Sequence, residues 1–340
     1  MTSTRQPPHR LAQAPAGTES SSGPAPGPGR EAAQPPRRRR RANPSTSRLA
    51  GWAFLAPVTA YLLLFYAYPL YRNLDLSLRN YTVYTFVHGG APFTGLANYR
   101  AIIADPTFAP ALIHTLVFTG VSLAFQFVIG LALALFFTQH FRLSGVLRAL
   151  FLVPWLLPLI VSASTWSWML DSNSGIVNAA LHAIGVGPVN WLTSPSWALP
   201  SVIIANIWIG VPFNLVLLHS GLQGIPGELY EAAALDGATE WQKFRHVTLP
   251  LLTPIIAVVM TFSVLFTFTD FQLIYVLTRG GPLNATHLMA TLSFQRAIPG
   301  GNLGEGAALA MAMVPFLLAA ILFSYFGLQR RAWQQGGGDK

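Results

Sequence analysis

A single carboxylate, Asp270, stands within the apolar part of this 340-residue chain; it is the one Asp, Glu, Lys or Arg inside six long hydrophobic runs. Withdrawing a charge from water costs about 3 kcal/mol or more unless it is paired or hydrated, so such a residue marks a functional site by default. Carboxylates accept hydrogen bonds from hydroxyls, and amides both donate and accept them. The other reading is local pairing or water contact near the end of its run, where the cost falls. Asn206 and Asn214 lie eight residues apart, about two helical turns, and so share a face. That face either lines a solute path or bonds neighbouring helices, the commoner use of polar residues in bundles. Phe213, Phe271 and Gln272 add aromatic faces and an amide, whereas His114 and Gln126 rank behind them. Pro212 removes a hydrogen bond from the same run and should kink it.

A second group is charged. "ELYEAAALDGATEWQKFRHVTLP", Glu228 to Pro250, holds Glu228, Glu231, Asp236, Glu240, Lys243 and Arg245 in a chain only 10% charged. The segment 225–250 parses as two short helices around a glycine elbow. Pro226 sits where a helix can begin, and Glu228 and Glu231 complement the dipole of its first turns. Ala232, Ala233 and Ala234 form helix readily and let another backbone come close. Gly237 fits a left-handed C-terminal cap. Thr239 and Gln242 fit a capping box that opens the second helix. Trp241 and Phe244 share a face of it. Such a loop is either an amphipathic linker on the membrane surface or a docking surface for a cytoplasmic partner.

The elements that position these residues follow from composition. With 52% hydrophobic residues and a mean hydropathy of +0.45, the chain belongs to the membrane class. Roughly 20 apolar residues are needed per spanning helix. Gly51–Tyr71, Leu112–Phe137, Ala149–Leu170, Trp197–Leu218, Leu251–Leu277 and Ala307–Leu328 qualify. Backbone polar groups must be paired in lipid, so these are helices. The expectation is an all-α polytopic membrane protein with six transmembrane helices.

Residues 1–48, rich in Pro, Gly, Ser, Ala and Arg, read as a disordered basic tail. Residues 49–330 form the membrane domain and 331–340 a C-terminal tail. Arg37–Arg41 suits nucleic acid in the abstract, but arginines just before a first span favour the anionic cytoplasmic leaflet. With the N-terminus inside, sixteen of the 21 Lys and Arg fall on cytoplasmic segments and five outside. Both termini and the 225–250 loop are then cytoplasmic. The long first run lacks a small-residue cleavage site and reads as a retained helix.

The absence of cysteine excludes disulfides and thiol chemistry. Neither lysine follows a glycine, so no phosphate-cradling G-K-[ST] can be read, and no G-x-S-x-G or HExxH occurs. Metal-ligand spacing is absent among the eight histidines. An enzyme is not expected.

"EAAALDGATEWQKFRHVTLPLLTP" resembles the EAA loop of ABC importer permeases, with Glu231, Ala232, Ala233 and Gly237 at the pattern positions and Asp236 before the glycine. "FTGLANY" (Phe93–Tyr99), "FLVPWLLP" (Phe151–Pro158) and "IYVLTRGGPLNAT" (Ile274–Thr286) are similar to the maltose and glycerol-3-phosphate type of permease. The resemblance implies a type I ABC importer permease in a bacterial inner membrane. It also implies a sugar or polyol as solute, a second homologous permease subunit and an extracytoplasmic solute-binding protein. A cytoplasmic ATPase dimer would hold ATP and Mg, with no cofactor on this chain. Glu231, Ala232, Ala233, Asp236, Gly237, Trp241 and Phe244 become the ATPase-coupling residues, and Asn206, Phe213, Asn214, Asp270, Phe271 and Gln272 the substrate-path candidates. One position departs from the family: its acidic residue follows the Phe of the F-D-x-I-Y segment, whereas here Gln272 follows Phe271 and the acid is Asp270. The competing expectation is an ATPase-independent secondary transporter or channel, with Asp270 as its coupling site.

Overall fold

Hydropathy dictates long helices, and the chain spends its apolar residues on them. The structure, a computed structural model, describes residues 54–139 and 141–336, with side chains described as far as residue 322. The expected tail, residues 1–48, lies outside the described residues. In order, α1 is Phe54–Ser77. Three elements follow before the next break, α2 (Val83–His88), α3 (Ala97–Ala104) and α4 (Phe108–Phe136). Next come α5 (Ser144–Leu156), α6 (Leu159–Met169), α7 (Ile176–Ala183), α8 (Pro195–Gln223) and α9 (Gly227–Leu235). The chain closes with α10 (Glu240–Lys243), α11 (Leu249–Phe268), α12 (Gln272–Leu277), α13 (Met289–Ala297) and α14 (Leu303–Gly336). Among the described residues the only β pairing is an isolated bridge between Arg79 and Phe93.

Among the described residues five helices are long and apolar enough to span a membrane, and a sixth span results if the α5–α6 pair is counted as one. The expectation of a single helix over Ala149–Leu170 is therefore corrected: α5 and α6 meet at an angle of 95°. Leu157 is extended (φ −72°, ψ 142°) and Pro158 follows with ψ 131°. The proline ring disfavours the helical conformation of the residue before it. The fifth run is also interrupted, because α11 ends at Phe268 and α12 begins at Gln272. By contrast, α8 runs as one 29-residue helix through Pro200 and Pro212, so Pro212 does not end it.

α4 and α8 form the main pair, and close approach is what their sequences allow. A methyl at Gly130 would stand 2.6 Å from the Asn214 Cβ and 3.2 Å from the Leu215 nitrogen, and one at Gly210 would collide with the Gln126 amide. Small residues at such crossings are the usual means of helix association in lipid. One core gathers Leu131, Leu215, Leu218, Leu252 and Val259 from α4, α8 and α11. A second joins Phe118 and Val202 to Leu273, Ile274 and Leu288. A third packs Met289 and Leu292 of α13 on Ala308 and Leu309 of α14. Arg296 of α13 donates to Asp105 and lies 3.9 Å from Glu305, tying the α3–α4 link to the α13–α14 hairpin. Partial burial pushes the Asp105 carboxyl up, but hydrogen bonds from Thr107 and the Arg296 charge hold it below its usual range.

Gly130→Ala is expected to lower thermal stability in detergent by about 1–3 kcal/mol, the usual cost of overpacking. Gly120→Ala on the same helix, where an added methyl meets nothing within 4 Å, should be neutral or slightly stabilising. Equal melting temperatures for the two variants would contradict this packing.

Candidate functional site

Two features draw together the residues singled out by their chemistry: the 225–250 loop and a partly open cavity. In the loop, α9 begins after Pro226, with Glu228 in its first turn. It ends in a double-bonded glycine cap. The Ala238 N–H donates to the Ala233 carbonyl (2.9 Å) and the Gly237 N–H to the Ala234 carbonyl (3.0 Å). Gly237 has φ +77° with open space around it, so the backbone conformation alone demands glycine there. The capping box closes on both sides: the Gln242 N–H donates to Thr239 Oγ1 (3.3 Å) and the Thr239 N–H to Gln242 Oε1 (2.7 Å).

The second helix is not a separate element, which corrects the two-helix reading. α10 passes through a π-turn, Phe244–Thr248, into α11 without a break. Tyr230 of α9 bonds Thr248 of that turn at 3.0 Å. Trp241 stacks on Phe244 with centroids 5.4 Å apart, but Phe244 packs against the α4–α8–α11 core while Trp241 is 65% exposed. Glu231, Ala232, Asp236 and Gly237 are exposed and Ala233 is half-buried. Leu235, 90% exposed at the elbow, was not singled out from the sequence. The loop thus presents acidic, small and large apolar groups to the outside on a stiff frame.

The cavity, about 430 Å³, lies at the break between α11 and α12 and is lined in part by Asn206, Phe213, Asp270, Phe271 and Gln272. Five of the six path candidates therefore meet in one place. The sixth, Asn214, does not line it; it is buried against Gly130 and donates to the Gly210 carbonyl (3.1 Å) and Ser263 Oγ (3.4 Å). Packing accounts for Asn214, and only Asn206 of the pair faces the cavity.

Asp270 explains how the break is tolerated. Its Oδ1 accepts from the Leu273 N–H at 3.2 Å, satisfying a donor that the start of α12 leaves free. Its Oδ2 accepts from Asn206 Nδ2 at 3.1 Å. Gln126 Nε2 in turn donates to Asn206 Oδ1 (2.8 Å) and to the Asn206 carbonyl (3.0 Å). Gln126, placed behind the other candidates on sequence grounds, proves to be the far end of this network. Its partner is 80 residues away, and no local pattern signals that. Among the described residues no group of three or more His, Cys, Asp or Glu is arranged to hold a metal ion.

The comparisons with known proteins agree with this architecture. The chain belongs to the family described as binding-protein-dependent transport system inner membrane component, whose model matches residues 126–334. That span includes both the loop and every cavity residue named above. The trehalose/maltose transport system permease protein MalF of Thermococcus litoralis is 37% identical over 79% of this chain and 89% of its own length. The sulfoquinovosyl glycerol transport system permease protein SmoG of Agrobacterium fabrum is 33% identical over 78% and 86%. Among solved structures, a bacterial ABC transporter that imports the acidic polysaccharide alginate superposes with a TM-score of 0.71. It is 24% identical and covers 84% of this chain and 96% of that one. The fold is that of type I ABC importer permeases, and the chain is a multi-pass inner-membrane permease subunit whose ATPase is a separate chain.

Removing one amide of the network strands its neighbours, at about 1–3 kcal/mol per buried unpaired group. Gln126→Ala and Asn206→Ala should each destabilise the detergent-solubilised protein. A double-mutant cycle should show coupling of about 1 kcal/mol or more. Simple additivity would mean that the two amides do not bond.

Proposed function

We propose that this chain forms, with a second homologous permease subunit, the translocation path for a sugar or related polyol. The solute is delivered by an extracytoplasmic binding protein, and transport is driven by a cytoplasmic ATPase dimer that holds the ATP and Mg. Both termini and the 225–250 loop face the cytoplasm, in keeping with the Lys and Arg distribution. The loop carries the reading. Its exposed Glu231, its small-residue helix and the protruding Leu235 and Trp241 suit insertion into a cleft on the ATPase. The names of the relatives, a trehalose/maltose and a sulfoquinovosyl glycerol permease, support a carbohydrate solute.

Closure of the ATPase subunits draws the loops together, and the continuous run from α10 into α11 passes that movement to the break at Asp270. Solute hydroxyls bond the Asp270, Asn206 and Gln272 side chains, while Phe213 and Phe271 cover the apolar faces of the ring. Family membership favours this reading over an ATPase-independent carrier coupled at Asp270.

Co-purification from mild detergent tests it. The wild-type chain, expressed with its neighbouring subunits, should bring down an ATP-hydrolysing subunit. Glu231→Lys and Gly237→Asp should reduce recovery of that subunit by about tenfold, equivalent to about 1.4 kcal/mol, while membrane insertion is kept. Equal recovery with all three chains would overturn the assignment of the loop.

A further inference from the structure

We propose that Asp270 makes the cavity a charge filter, which admits neutral or cationic solutes that donate hydrogen bonds and turns anionic ones away. The inference rests on the reading of the cavity as the solute path. Among the described residues Asp270 is the only Asp, Glu, Lys, Arg or His on the cavity wall, so this chain's part of the wall supplies no cation to offset its charge.

Donor accounting points the same way. A carboxylate only accepts, so the Asn206 amide must turn its NH₂ toward Asp270, and Gln126 must turn its own toward Asn206. Both protons of Gln126 Nε2 are then spent, on the Asn206 carbonyl and on Oδ1, and one proton of Asn206 Nδ2 is spent on Asp270. Asp270 uses two of about four lone-pair sites, on Asn206 and on the Leu273 N–H. About two carboxylate lone-pair sites therefore remain at the centre of the network against a single Asn206 Nδ2 proton. At the start of α12 the Asp270 carboxylate already occupies the Leu273 donor, leaving that N–H unavailable to an anionic solute. A like charge about 6–12 Å from Asp270, at an effective dielectric near 20, is disfavoured on the order of 10- to 100-fold. This fold carries an acidic polysaccharide in the alginate transporter, so charge preference belongs to the side chains and not to the architecture.

The chain contains no cysteine, which gives a test that needs no knowledge of the solute. Leu159→Cys places one thiol on the cavity wall, contributed by α6 and not by the α11–α12 break. In the assembled, reconstituted transporter, its modification is timed with a trimethylammonium and a sulfonate methanethiosulfonate. Each rate is divided by the same reagent's rate with a free thiol. The normalised ratio of cation to anion should be about tenfold or more. Asp270→Asn should bring it within about twofold of one, and Asp270→Ser provides the same loss of charge should the first variant fail to assemble. A ratio near one in the parent, unmoved by either substitution, overturns the filter and leaves the path standing. No reaction with either reagent, with and without ATP, overturns the path and the filter together.

Discussion

Backbone that leaves the helix inside a bilayer must find its hydrogen-bond partners within the protein or in an enclosed water-filled space. Two segments leave the helix within the apolar runs, Leu157–Pro158 and Thr269–Phe271, and both border the same cavity, through Trp155 and Leu159 on one side and Thr269 to Gln272 on the other. The rest of the architecture accommodates this constraint. Asp270 satisfies the start of α12, Asn206 holds Asp270, and Gln126 holds Asn206. The groups that make the break permissible are also the groups most able to recognise a polar solute.

The same helix joins this chemistry to the cytoplasmic loop. From Glu240 to Phe268 the chain runs through α10, the π-turn and α11 without leaving helix, a length of about 43 Å at 1.5 Å per residue. One end carries the exposed Trp241; the other stops one residue before Thr269 and the Asp270 break. The π-turn, a rare feature that often marks functional sites in helices, is held to α9 by the Tyr230–Thr248 bond. Loop and cavity are thus joined by one continuous run of helix.

Much of this was legible in the residues, and the parts that were not share a reason. Spans are written in hydropathy: among the described residues four of the six expected runs lie in single long helices, and a fifth is interrupted only at Thr269–Phe271. The loop's caps were legible because they are local: Gly237 takes φ +77°, and Thr239 and Gln242 bond each other across three residues. Pro158 was visible, but a hydropathy window counts apolar residues and is blind to a 95° bend. The break at Thr269–Phe271 has neither proline nor glycine to announce it; it depends on a carboxylate whose partner lies 64 residues away. For the same reason no local pattern tells that Gln126 lines the cavity while Asn214 does not. Their roles are set by which neighbour each meets, Gly210 and Asn206 for one, Gly130 and Ser263 for the other.

The central claim is that the loop governs access to the cavity, and side-dependent labelling tests it most directly. Thr269→Cys introduces the chain's only thiol on the cavity wall, and a membrane-impermeant neutral thiol reagent can be added to either side of oriented, reconstituted transporter. Labelling should come from the cytoplasmic side without nucleotide and from the opposite side when ATP hydrolysis is trapped, and Gly237→Asp should abolish the switch. Labelling from one side only, indifferent to nucleotide, would contradict the account.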